Sequence, residues 1–71
     1  MQPYRNLSGN SGVQAYESGP GYIRVRFVGG QTYLYTDDSA GARNILRMQE
    51  LADAGRGLAT FISTTVRDGY A

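Results

Sequence analysis

The 71 residues predict an α+β domain, a small three-stranded antiparallel meander followed by two helices packed on one sheet face. Three observations lead there. Residues 22–28, YIRVRFV, alternate apolar with polar side chains, the period of a half-buried strand. Gly29-Gly30 separates that run from a second one, TYLYT, as a hairpin does. Beyond Asp37 the apolar residues change to helical spacing, and strands followed by helices point to an α+β arrangement.

Residues 1–11 read as a polar N-terminal arm, because Asn, Ser and Gly favour turns over packed elements. Residues 12–71 read as the single domain. Asn6-Leu7-Ser8 matches the glycosylation tripeptide, a pattern that also recurs by chance. Val13 to Glu17 is the first strand, with Val13 and Ala15 expected on one face. Residues 18–21, SGPG, turn the chain, since proline fixes φ and glycine permits positive φ. The main strand follows, with Ile23, Val25 and Phe27 on one face and Arg24 and Arg26 on the other. The third strand runs from about Thr32 to Thr36. Asp37-Asp38-Ser39 marks a helix start, with Asp38 or Ser39 as the cap. Gly41, Ile45, Met48, Leu51 and Ala52 then share one helical face, and Gly55 is a left-handed stop. After the GRG link, a second helix is expected to face inward through Leu58, Phe61, Ile62 and Thr65 and to end at Gly69. Arg43 and Arg47 precede Glu50 and Asp53 on the first helix, against the preference of its dipole. A solvated face tolerates that order; a small basic patch is the functional alternative.

The hairpin register decides where the tyrosines point. A two-residue loop at Gly29-Gly30 places Tyr33 and Tyr35 beside Arg24 and Arg26, a platform on which bases could stack. A three-residue loop, Gly29 to Gln31, pairs Phe27 with Tyr33 and Val25 with Tyr35 and turns both rings inward. Core volume selects the second. Each buried ring removes up to ~150–250 Å² from water, at about 25 cal/mol per Å². The other register offers only Thr32, Leu34 and Thr36 to a core that can spare little.

Composition narrows the chemistry. Cysteine and histidine are absent, so disulfides, thiolate metal sites and the commonest zinc ligand are absent with them. Lysine is absent too, and the six acids are scattered, which argues against proton-transfer or nucleophilic catalysis. The GPG, GG and GRG stretches lack the frame of a phosphate loop. No enzyme activity, cofactor or metal is expected. No segment has the ~20 apolar residues of a membrane span, and no signal-peptide run precedes the domain, so a cytoplasmic protein is expected. The net charge is +1, and all seven basic residues are arginine. Coding bias in a G+C-rich genome is the favoured explanation, and selection for forked donors that grip phosphate and stack on rings is the alternative.

The stretch VRFVGGQTYLYT, the helix after it and the final VRDGY resemble the KTSC domain. That domain is named for the C-terminal region of certain lysyl-tRNA synthetases and also occurs as small standalone bacterial proteins. Its V-x-F strand falls here on Val25 and Phe27, its Y-x-Y on Tyr33 and Tyr35, and its closing basic-x-x-Tyr on Arg67 and Tyr70. The resemblance covers about residues 11–71. The sequence departs from it at Phe61-Ile62, where the family commonly has Phe-Asn, so no role transfers for that asparagine. The family has no established function, and its attachment to a synthetase suggests RNA binding. The candidate nucleic-acid contacts are Arg24 and Arg26 on the sheet face, with Arg43, Arg47, Arg56 and Arg67 as further phosphate contacts. The alternative is a protein-interaction or self-association module on the same face, with Leu34 among the arginines, since arginine is enriched in protein interfaces as well.

Overall fold

The protein is described by a computed structural model that covers residues 1–7, 9 and 11–71. Ser8, the last position of the Asn6-Leu7-Ser8 tripeptide, and Asn10 lie outside the described residues. The order of elements is β1 (Gln2–Pro3), β2 (Val13–Gly19), β3 (Tyr22–Phe27), β4 (Thr32–Thr36), α1 (Asp37–Ala40), α2 (Ala42–Ala54) and α3 (Leu58–Phe61), which runs on into a π-helical turn, Ile62–Val66. The architecture is α+β, with one antiparallel sheet in the order β1-β2-β3-β4.

The sheet has four strands where the sequence predicts three. The added strand comes from the polar arm: Gln2 pairs with Tyr16 and Pro3 with Ala15. A two-residue strand has no periodicity to read. Its neighbour Tyr4 is buried, and the Tyr4 hydroxyl accepts the Leu58 N–H at 3.3 Å. Leu7 N–H then donates to the Gly55 carbonyl at 2.7 Å, so this stretch is strapped across the link between α2 and α3.

β2 and β3 are joined through Pro20 and Gly21, with Gly21 at φ 75°, the left-handed position that a proline-led type II turn requires. Gln49 of α2 donates from Nε2 to the carbonyls of Gly19 and Tyr22, each at 2.9 Å, and ties this hairpin to the helix layer. A register shift at Gln14 pairs Val13 with Phe27 but Ala15 with Arg26. Val13 and Ala15 therefore lie on opposite faces, not on one as alternation alone suggests.

The β3–β4 loop has three residues, as core volume demands, but they are Val28, Gly29 and Gly30. Phe27 N–H donates to Gln31 O at 2.7 Å and Gly30 N–H to Phe27 O at 3.0 Å. Both glycines have positive φ, 103° and 93°, which explains the placement of the loop. Val25 consequently faces Tyr33 and Ile23 faces Tyr35, in place of the expected Phe27–Tyr33 and Val25–Tyr35 pairs. The displacement is two residues along β3, so every side chain keeps its predicted face. Tyr35 is 1 % exposed; Tyr33 is half-buried and meets Phe27 edge-on, ring centroids 5.7 Å apart.

Three helical boundaries differ from expectation. Thr36, not Asp38 or Ser39, caps α1: its hydroxyl accepts Ser39 N–H at 3.1 Å, and Ser39 Oγ accepts Thr36 N–H at 3.0 Å. Gly41, at φ 96° and ψ 137°, breaks the predicted first helix into α1 and α2 and is exposed, not part of the inner face. α2 buries Ile45, Met48 and Ala52 and ends at Gly55 in the left-handed conformation. In the last helical stretch the chain widens, and Arg67 N–H reaches back five residues to Ile62 O at 2.6 Å. The extra residue in that turn brings Val66 inward and leaves Thr65 exposed, reversing the expectation from 3.6-residue spacing. The helix stops at Val66; Gly69 closes a turn, its N–H donating to Val66 O at 2.7 Å. Tyr70 then forms a bridge to Tyr35, and Ala71 N–H donates to Leu34 O at 2.7 Å.

Ile23, Val25, Tyr35, Ile45, Met48 and Leu58 form the fully buried centre, between one sheet face and the helices. The opposite sheet face carries Arg24, Arg26, Thr32 and Leu34 and has no helix over it among the described residues.

Candidate functional site

The open face of the sheet is built by cross-strand pairing. The Pro20-Gly21 turn sets Gly19 opposite Tyr22, and counting outward sets Glu17 opposite Arg24. On the far side of β3, Arg24 faces Leu34 and Arg26 faces Thr32. The Tyr22 ring lies across Gly19 so closely that a Cβ there would sit 2.6 Å from ring atom Cε1. Glu17 Oε2 accepts two hydrogen bonds, from the Tyr22 hydroxyl at 3.0 Å and from Arg24 Nη1 at 3.3 Å. The Glu17 hydrogen bond holds the Tyr22 phenol above its ordinary pKa, with burial adding to it. The Arg24 and Glu17 side chains are 41 % and 42 % exposed, so theirs is a wet ion pair that positions more than it stabilises.

This relay changes the electrostatics expected of the face. Arg24 is already partnered by a carboxylate, and Arg26, exposed, has no ion-pair partner among the described residues. The remaining arginines do not join them. Arg43 and Arg47 are exposed on α2, in the layer that covers the other side of the sheet. Arg56 lies in the link between α2 and α3, and Arg67 in the turn after the π-helical segment. Arg5 donates to the Asp53 carbonyl at the end of α2. Of the residues that carry the KTSC resemblance, Val25 and Tyr35 are fully buried and Phe27 and Tyr33 pack against the core, whereas Arg67 and Tyr70 are exposed, the Tyr70 ring lying against Tyr33 and Tyr35. Neither Tyr33 nor Tyr35 lies on the open face with the arginines, so they provide no stacking platform there.

Sequence reasoning overlooked Glu17, Tyr22 and Asp53. The first two were within reach, because a two-residue Pro-Gly loop fixes which residues of its flanking strands face each other. Asp53 was not, since its partner Tyr16 is distant in sequence. The Tyr16 hydroxyl donates to Asp53 Oδ1 at 2.8 Å, and burial together with that bond pushes the phenol up to about 12. The Tyr16–Asp53–Arg5 group fastens β2 and the leading strap to the end of α2. Among the described residues no group of three or more His, Cys, Asp or Glu is placed to hold a metal ion, and no helix is long and apolar enough to cross a membrane. No protein family, curated protein or solved structure gives a significant match to the chain.

Proposed function

We propose that the chain is a KTSC-like, non-enzymatic cytoplasmic binding module that docks a protein partner on the open face of its sheet. The observation that carries this reading is the Tyr22–Glu17–Arg24 relay beside Arg26 and half-buried Leu34. The face mixes both charge signs with an aromatic ring and an aliphatic side chain. Tyrosine and arginine held in place by neighbours are the residue types that dominate protein interfaces. A polyanion would instead favour a continuous positive surface. Here Glu17 offsets Arg24, Arg43 and Arg47 lie on α2, and Arg67 lies in the turn after the π-helical segment.

Single-stranded RNA is the second reading. It is favoured by Arg26, exposed and without a carboxylate partner among the described residues, and it is what the KTSC resemblance suggests. One or two phosphate contacts would give a log–log salt slope of only about −0.7 to −1.4. A single experiment separates the two. The chain and its Arg24→Gln/Arg26→Gln variant are used as baits in native lysate, with and without RNase, and both protein and RNA are identified. The expected result is a protein that survives RNase and is lost from the variant while thermal stability is unchanged. RNA retained by the chain and lost from the variant would replace this reading with the second. Capture indifferent to the substitutions would remove the open face from both.

A further inference from the structure

We propose that the closing segment, Arg67–Ala71, exchanges between two copies of the chain, each laying Tyr70 and Ala71 against the β4 edge of the other. The edge is a strand-binding site already in use. Tyr70 bridges Tyr35, Ala71 N–H donates to Leu34 O at 2.7 Å, and the Tyr70 ring lies 4.9 Å from Tyr33 and 6.2 Å from Tyr35 between centroids. This is strand addition to a sheet edge, with side-chain selection by aromatic contact. In a single copy it is reached only through a strained connection. Arg67 has φ 45° and ψ −110°, the first central position of a type II′ turn, where glycine is the usual residue. The turn follows directly on the π-helical segment, a second departure from regular geometry.

Exchange keeps the docking contacts and removes the turn. Arg67 to Gly69, extended, span about 10 Å, enough to cross to the edge of a two-fold related neighbour. Contacts in cis and in trans are the same, so their energies cancel. What differs is relief of the Arg67 backbone set against the cost of association, and short hinges under strain are where such exchange begins. Tyr70 is 45 % exposed, and the bridge to Tyr35, the Ala71–Leu34 hydrogen bond and the two ring contacts that hold the segment are the contacts exchange restores in the neighbour. The exchange uses the sheet edge and is independent of the open face.

Sedimentation of the full chain from low micromolar to millimolar concentration is expected to show a monomer giving way to a dimer. Arg67→Gly, which accepts positive φ without strain, is expected to weaken that association by about tenfold or more. Chains carrying Leu34→Cys alone and Ala71→Cys alone, mixed and then oxidised, are expected to form the mixed disulfide in excess over either symmetric one. A monomer at every concentration overturns the proposal. So does a dimer as tight in Arg67→Gly as in the parent chain. A dimer without excess mixed disulfide, abolished by Arg24→Gln/Arg26→Gln, would place the contact on the open face and leave the edge unoccupied by a partner. An unrelated extended peptide that binds the β4 edge while the chain itself stays monomeric also rejects exchange.

Discussion

Tyr35 is 1 % exposed, opposite Ile23 on β3 and bridged by Tyr70 on its other side, so truncating it opens a cavity at the centre of the fold. Tyr35→Ala is expected to cost about 3 kcal/mol or more in urea unfolding, and a loss below about 0.5 kcal/mol would put the ring at the surface. Tyr16 lends the fold a pH dependence. Its pKa is about 12 in the fold against 10 in the free side chain, mainly through burial and then through the bond to Asp53. The folded state thus holds the proton more firmly than the unfolded chain. The stabilisation is complete below pH 10 and is lost as the pH rises from 10 through 12, by at most about 2–3 kcal/mol. Burial raises Tyr35 as well, with the same sign. The melting temperature should therefore fall across this window. Tyr16→Phe should start about 1 kcal/mol less stable and lose less over the same range; parallel curves for the two proteins would contradict the assignment. At this scale the inward rings could be read from sequence, because a small core cannot do without them. The Tyr16–Asp53 bond could not, since 37 residues separate its partners and only the packed fold brings them together.

β3 and the stop at Gly55 were legible because each rests on a local rule: period two for the strand, a left-handed glycine for the helix end. The break at Gly41 and the π-helical turn were not. Both interrupt a helical pattern that the side chains alone would continue, and both are decided by how the segments meet the sheet. β1 escaped for a different reason: its two residues acquire their meaning only from β2. Gly55 also shows why a stop is more than a terminator. It sits at φ 78°, and a Cβ there would lie 2.7 Å from the Arg5 Cβ, so its bareness lets the leading strap pass. Gly55→Ala should cost about 1–2 kcal/mol from backbone conformation alone, and more from that collision. Gly30, at φ 93° with open space around it, provides the comparison, since alanine there meets no neighbour. Chemical denaturation of both variants should show the larger loss at Gly55, with faster hydrogen exchange at the Leu7 amide. Equal losses would mean that the strap does not press on this link.

Across the molecule, charge is spread and not gathered. The net +1 is the balance of seven arginines against six acids, with the arginines placed on both layers and in the connecting turns, so long-range attraction to any polyanion is weak and recognition has to come from close contact. The α+β class and the open sheet face followed from the order of periodic segments. The character of that face did not, because it turns on Glu17 reaching across to Arg24 and Tyr22, and charge counts are blind to such pairing. The strand order has a mechanical side. Gln2–Pro3 lie along one margin of the sheet and Tyr70–Ala71 along the other, with β2, β3 and β4 between them. A force drawing these two stretches apart acts across the strands and not along them. It loads the outermost hydrogen bonds first and one after another, as in a zipper, never as a row sharing the strain. The margins, two residue pairs on one side and one bridge on the other, peel away before tension reaches the pairing of β2 with β3. The domain thus yields from its borders inward under traction, whatever resistance its core gives to heat.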